Sequence, residues 1–191
     1  MLRLVDAPRC PYCARVRIML AEKGVAHDPV VIDLQDRPPW LYELNASGRV
    51  PVLEEDGWAL PESAVINEFL EERHPEPPLL PSEHAARAAA RLRIFRCDDF
   101  TRPYYHLRRG DPGAEAEFAE ALGALDATLA ATPFLTGGEF GLADIAFVPW
   151  LIRARDLLGV SLEAYPHVST WLDLLSRRPS VAAEIELVAG L

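Results

Sequence analysis

Two cysteines with two residues between them, in Cys10-Pro11-Tyr12-Cys13, are the groups in this chain best suited to chemistry. An ionised thiol is a nucleophile, and a second thiol nearby can close a disulfide with it. The four residues follow a short apolar run (Leu2, Leu4, Val5) and a breaker, Pro8. They open an amphipathic segment carrying Val16, Met19 and Leu20. That order predicts a strand, a tight loop and a helix. The spacing puts Cys10 at or beside the helix N-cap and Cys13 one turn on, on the same side. Pro11 suits the first helical position, where its missing N–H breaks no hydrogen bond. Unpaired N–H groups and the helix dipole then favour a thiolate at Cys10. Thiols so placed ionise between about pH 3.5 and 7.5 instead of about 8.5. Arg9, Arg15 and Arg17 add positive charge nearby, in directions the sequence does not fix. A structural zinc site would need four ligands. Only Cys97 and five singly scattered histidines remain to supply them, so no metal is expected. A chance cysteine pair in a buried helix is disfavoured by the proline between the thiols and by the βαβ pattern around them.

The elements that must hold these thiols are predicted as follows. Leu2 to Val5 reads as a strand, and Pro11 to Lys23 as a helix closed by Gly24. His27 to Leu34, with Val30, Val31 and Ile32 together, reads as a buried strand. A short helix around Pro39 to Asn45 follows. Val52-Leu53 and Trp58 to Leu60 flank Asp56-Gly57, a hairpin turn signal. Pro61-Glu62-Ser63 then opens a helix with Val65, Ile66, Phe69 and Leu70 on one stripe. This is a βαβαββα order, with one parallel and one antiparallel half. His74 to Ser82 holds four prolines in nine residues, a composition that excludes helix. Beyond Glu83 only helices are expected, with apolar spacing through Leu92, Phe95 and Phe100, then Phe118, Leu122, Leu125 and Leu129. Gly141 to Leu158 reads as an apolar central helix that Pro149 kinks or locally disturbs. The division is therefore an α/β domain at residues 1–74, a proline-rich linker at 75–82 and an all-α domain at 83–191.

The 191 residues suffice for two small domains, and half are hydrophobic. No apolar run approaches a membrane span, and no secretory pattern heads the chain. A formal charge of −10 opposes general nucleic-acid binding, which wants a basic face. Three cysteines, one of them odd, fit a reducing cytoplasm better than a disulfide scaffold.

The chain resembles a cytosolic glutathione transferase, most closely the omega and glutaredoxin-like branch that uses a cysteine. Besides Cys10-Pro11-Tyr12-Cys13, the residues that carry the resemblance are Arg37-Pro38-Pro39-Trp40, Gly48-Arg49-Val50-Pro51-Val52-Leu53 and Pro61-Glu62-Ser63-Ala64. Leu79-Leu80-Pro81 and Gly141-Leu142-Ala143-Asp144-Ile145 add to it. The resemblance covers nearly the whole chain and implies a thioredoxin-like N-terminal domain followed by an all-α C-terminal domain. It implies a cis bond before Pro51, which presents the N–H and C=O of Val50 to the cysteinyl part of glutathione as an added strand would. Ser63 and the amides around it would hold the γ-glutamyl carboxylate, Glu62 its ammonium, and Arg37 the glycyl end. Tyr12 stands where relatives have an aromatic residue beside the sulfur. Each position also has a plainer reading: an edge turn at Val50-Pro51, N-capping by Glu62 and Ser63, a solvated surface charge at Arg37 and packing at Tyr12. Gly141 departs from the Ser or Thr common at that N-cap and weakens the capping box, while Asp144 can still accept N-terminal amides.

The implied activity is glutathione-dependent thiol transfer. Cys10 attacks a disulfide or glutathione mixed disulfide, and glutathione or Cys13 resolves it. The partner is a small-molecule or protein thiol or disulfide, or an electrophile. The other readings are conjugation of glutathione to electrophiles and a non-enzymatic, transcription-associated binding module. By resemblance, a helix spanning Arg93, Arg96, Cys97, Phe100, Tyr104 and Tyr105 walls the second-substrate site. Phe95 and Phe100 belong to the core, and Cys97 is a half-buried helical residue. A homodimer is implied in the same way.

Overall fold

The computed structural model describes residues 1–191, and the chain divides into two compact units, Met1–Pro78 with Leu191, and Leu79–Gly190. The first unit is built in the order β1 (Arg3–Asp6), α1 (Pro11–Glu22), β2 (Asp28–Val31), α2 (Pro39–Leu44), β3 (Val52–Glu55), β4 (Trp58–Pro61), α3 (Ser63–Arg73). Its sheet runs β2-β1-β3-β4, with β2 parallel to β1 and the other pairings antiparallel. This is the expected βαβαββα arrangement. Asp56 and Gly57 both take positive φ (51° and 83°), as a two-residue type I′ hairpin turn demands.

The apolar faces of α1 and β1 explain the core. Leu4, Val5, Cys13, Ala14, Val16, Met19 and Leu20 are all buried. β2 departs from its predicted character. It is an edge strand, with Val31 60% exposed, and only Ile32 just beyond it joins the core. Three consecutive β-branched residues imitate a buried strand, yet β2 lies at the sheet's edge and none of its four residues is buried.

The second unit is helical: α4 (His84–Phe95), α5 (Asp98–Arg109), α6 (Ala114–Leu129), α7 (Leu142–Leu158), α8 (Pro166–Ser176) and α9 (Pro179–Ala189). α7 is its axis, with every residue from Leu142 to Ala154 buried, and it continues unbroken through Pro149. Asp144 ties its N-terminus. The carboxylate accepts from the Gly141 N–H (2.9 Å), the Leu135 N–H (2.8 Å) and Trp171 Nε1 (2.7 Å). Burial pushes this carboxyl above its ordinary value, and those donors partly offset the shift.

Gly141 is there for space. A Cβ would sit 2.6 Å from the Leu79 carbonyl oxygen, whose acceptor role toward the Leu142 N–H (2.8 Å) requires that closeness. Three expectations about the segment around Arg96-Cys97 fail. The predicted single helix is two, broken at Arg96-Cys97, and Cys97 is fully buried, its thiol donating to the Ala146 carbonyl (3.3 Å). Phe100 joins the core against Phe118 and Phe147, whereas Phe95 is 84% exposed. A stripe drawn across the break puts Phe95 on the wrong face, because the helical phase restarts at residue 98.

Candidate active site

Cys10 is the N-cap of α1, in extended backbone (φ −84°, ψ 116°), with Pro11 at the first helical position. Its carbonyl accepts the Ala14 N–H (3.1 Å), and its own N–H donates to Ala7 O (2.9 Å). The sulfur is aimed by the loop rather than by a side-chain cap. It lies 3.8 Å from the Val50 carbonyl oxygen, and the Val50–Pro51 peptide is cis. The pairing of β3 with β1 begins at Val52, so the main-chain groups of Val50 lie outside that ladder. Cys10 retains 8% of its surface and Cys13 none.

The two thiols are not equivalent. Burial, first, and then the hydrogen bond and negative charge of Cys10 push Cys13 well above its ordinary value of 9.0. The carboxylate of Asp6 raises it further, and a bond with the backbone at Ala7 lowers it slightly. Cys13 thus keeps its proton and presents it to the Cys10 sulfur, which is how a neighbouring donor favours the ionised form of its partner.

The arginines of α1 sort themselves differently from a general positive field. Arg17 is committed to Asp6 (2.5 Å), at the end of β1. Arg15 is buried beneath Tyr12, its guanidinium carbon 5.3 Å from the ring centroid, and its Nη1 donates to Ser63 Oγ (3.3 Å). Ser63 is the first residue of α3 and is itself buried. Glu62 precedes it in a left-handed conformation (φ 72°), exposed, and its side chain caps nothing. The N-capping reading of Glu62 and Ser63 therefore falls. The first amides of α3 keep no intrahelical partner.

Cys10, Cys13 and Val50, with Pro51 next in the chain, are thus one cluster, and Tyr12, Arg15 and Ser63 another beside it on α1 and α3. Arg37 stands exposed ahead of α2 and makes no hydrogen bond or ion pair, so nothing joins it to either group. Asp6 escapes sequence reasoning, and Arg15 enters it only as nearby charge, without its bond to Ser63. Both leave a faint trace: a carboxylate ending an apolar strand, and an arginine between positions that are otherwise buried.

Residues 4–78 match the family model of the glutathione S-transferase N-terminal domain, and residues 81–174 that of the C-terminal domain. The chain belongs to the glutathione S-transferase family. Members of this family bind glutathione. A glutathione S-transferase from Methylobacterium radiotolerans, solved in complex with glutathione sulfonate, superposes with TM-score 0.83 at 27% identity, over 96% of this chain and 94% of that one. Glutathione transferase Omega 3C from Trametes versicolor superposes with TM-score 0.84 at 28% identity, over 96% and 83% of the two chains. Among curated proteins, a stringent starvation protein A homolog from Pasteurella multocida is 38% identical over 153 residues, 76% of this chain and 71% of that one. No helix of the chain is long and apolar enough to cross a membrane.

Proposed function

We propose that this protein is a glutathione-dependent thiol transferase in which Cys10 is the nucleophile. The observation that supports it best is the asymmetry of the pair: Cys10 at the helix N-cap beside Val50, and Cys13 enclosed and protonated behind it. The Cys10 thiolate attacks the glutathione sulfur of a mixed disulfide. A Cys10–glutathione disulfide forms, the substrate's S–S bond breaks, and the departing thiolate takes a proton from solvent. A second glutathione thiolate then attacks the glutathione sulfur of that adduct, releasing glutathione disulfide and regenerating the Cys10 thiolate. Low-pKa thiols are both ionised and good leaving groups in such exchanges. In the dithiol route, Cys13 gives up its proton, displaces glutathione and closes a Cys10–Cys13 disulfide, which external glutathione reduces. Glutathione lies along Val50-Pro51 with its γ-glutamyl carboxylate at Ser63 and the α3 amides, and Glu62 faces its ammonium. Arg37 meets the glycyl end, and Tyr12 flanks the sulfur. A twofold dimer acting in the cytoplasm completes this reading.

The test is turnover of hydroxyethyl disulfide with glutathione. Cys10→Ser abolishes it and Cys13→Ser retains the monothiol reaction. Wild-type rates in Cys10→Ser would remove the nucleophile assignment. Conjugation of a chloronitrobenzene, measured alongside, separates the electrophile-transferring alternative, for which a hydroxyl at the Cys10 position would be the better group.

The likeness to stringent starvation protein A homologs favours a second reading, in which this chain is a binding protein of a starvation response. Absent thiol transfer together with capture of RNA polymerase would decide for it.

A further inference from the structure

Arg15 is placed where no glutathione-binding assignment uses it. A guanidinium is a donor only and never loses its charge at physiological pH. Here it is 5% exposed, stacked under the Tyr12 ring, and aimed at Ser63 Oγ. Its own carbonyl accepts from the Asn67 amide (3.4 Å), one turn further along α3 than Ser63, so α1 and α3 are pinned to each other at this point. A serine hydroxyl has one proton and two lone pairs. With Arg15 donating to the oxygen, the proton of Ser63 is left to point elsewhere. The hydroxyl sits at the first position of α3, beside amides that already favour an anion.

We infer that Arg15 is a positioning residue that turns Ser63 into a one-way donor and so sets the site's demand for a carboxylate on the γ-glutamyl end of its thiol peptide. The inference rests on the glutathione-binding reading of Ser63. The buried cation contributes in two ways: it fixes the direction of the hydroxyl, and it adds positive potential behind it. Neither requires Arg15 to touch the ligand. A peptide lacking the carboxylate would forfeit the charge-assisted bond from Ser63 and would bind roughly tenfold to a hundredfold more weakly.

The experiment is calorimetric titration with two ligands, glutathione and its decarboxylated analogue, 4-aminobutyryl-cysteinyl-glycine. The full-length wild type is compared with Arg15→Met, Arg15→Lys, Ser63→Ala and the Arg15→Met/Ser63→Ala pair. The wild type prefers glutathione by about tenfold or more. Arg15→Met and Ser63→Ala each bring the ratio toward one, the pair brings it no lower, and Arg15→Lys restores most of the preference. A merely structural arginine would weaken both ligands alike and leave the ratio unchanged, which would overturn the inference while glutathione binding stood. A wild type that binds neither peptide would overturn the glutathione reading, and this inference with it. If Arg15→Met fails to fold, Arg15→Leu, which likewise removes both the donor and the charge, carries the same comparison.

Discussion

Cys10 and Cys13 carry the same functional group in different surroundings, and the roles proposed for them rest on that difference. Cys10 has a helix N-terminus ahead of it and a proton donor behind it; Cys13 has burial, the Cys10 sulfur and the Asp6 carboxylate. A thiol raised in the folded state binds its proton more tightly there than in the unfolded chain. Its stabilising contribution is complete below the unfolded value and is lost as pH rises through the folded one. The thermal midpoint of the wild type therefore falls on going from pH 8 to pH 10, and Cys13→Ala falls less over the same interval. Parallel slopes in melts of the two proteins would contradict the raised thiol. The N-cap position of Cys10 was legible in the sequence because a proline and a helix start identify such a position locally. The proton inventory behind it was not, since Asp6 and Arg17 meet only when β1 and α1 are folded together.

At the level of elements, the local signals that survive are those tied to a single residue's stereochemistry. Asp56-Gly57 makes its turn, Gly24 follows α1 with φ 62°, and Pro39, Pro166 and Pro179 each open a helix. Gly141 was read as a weakened cap because a serine would supply a hydrogen bond. In the structure the position has no room for a Cβ. Gly141→Ser consequently destabilises, by about 1–3 kcal/mol, the range for overfilling a packed site. Urea denaturation measures it, and a stabilised variant would refute the steric account. The same reasoning explains where the sequence misled. Leu92 and Phe95 fit an apolar stripe by spacing, but α4 ends at Phe95 and both face water. The period was right within each helix; the break at Arg96-Cys97 carries no glycine or proline to announce it.

Across the whole chain, two units close their own cores, and the charge each buries was invisible until sequence-distant residues met. Arg153 on α7 and Glu184 on α9 form a bond of 2.8 Å with both side chains almost wholly enclosed, and Arg153 also donates to the Pro149 carbonyl (3.1 Å) inside the helix. Removing one partner strands the other: Glu184→Ala costs about 3–5 kcal/mol, while Arg153→Met with Glu184→Leu recovers most of that. Chemical denaturation of the three proteins checks it, and a Glu184→Ala midpoint equal to wild type would show that the pair contributes nothing. The division into an α/β part and an all-α part could be read from composition, but partners 31 residues apart could not. β2, finally, bears on how copies of this molecule behave in a crowded solution. Asp28 and Ile32 donate inward to Leu2 and Asp6, so Pro29, in alternate register, turns its donorless nitrogen toward the open side. A stray strand arriving at that rim finds a missing rung. The proline thus guards the sheet against end-to-end polymerisation where Val31 would otherwise invite it.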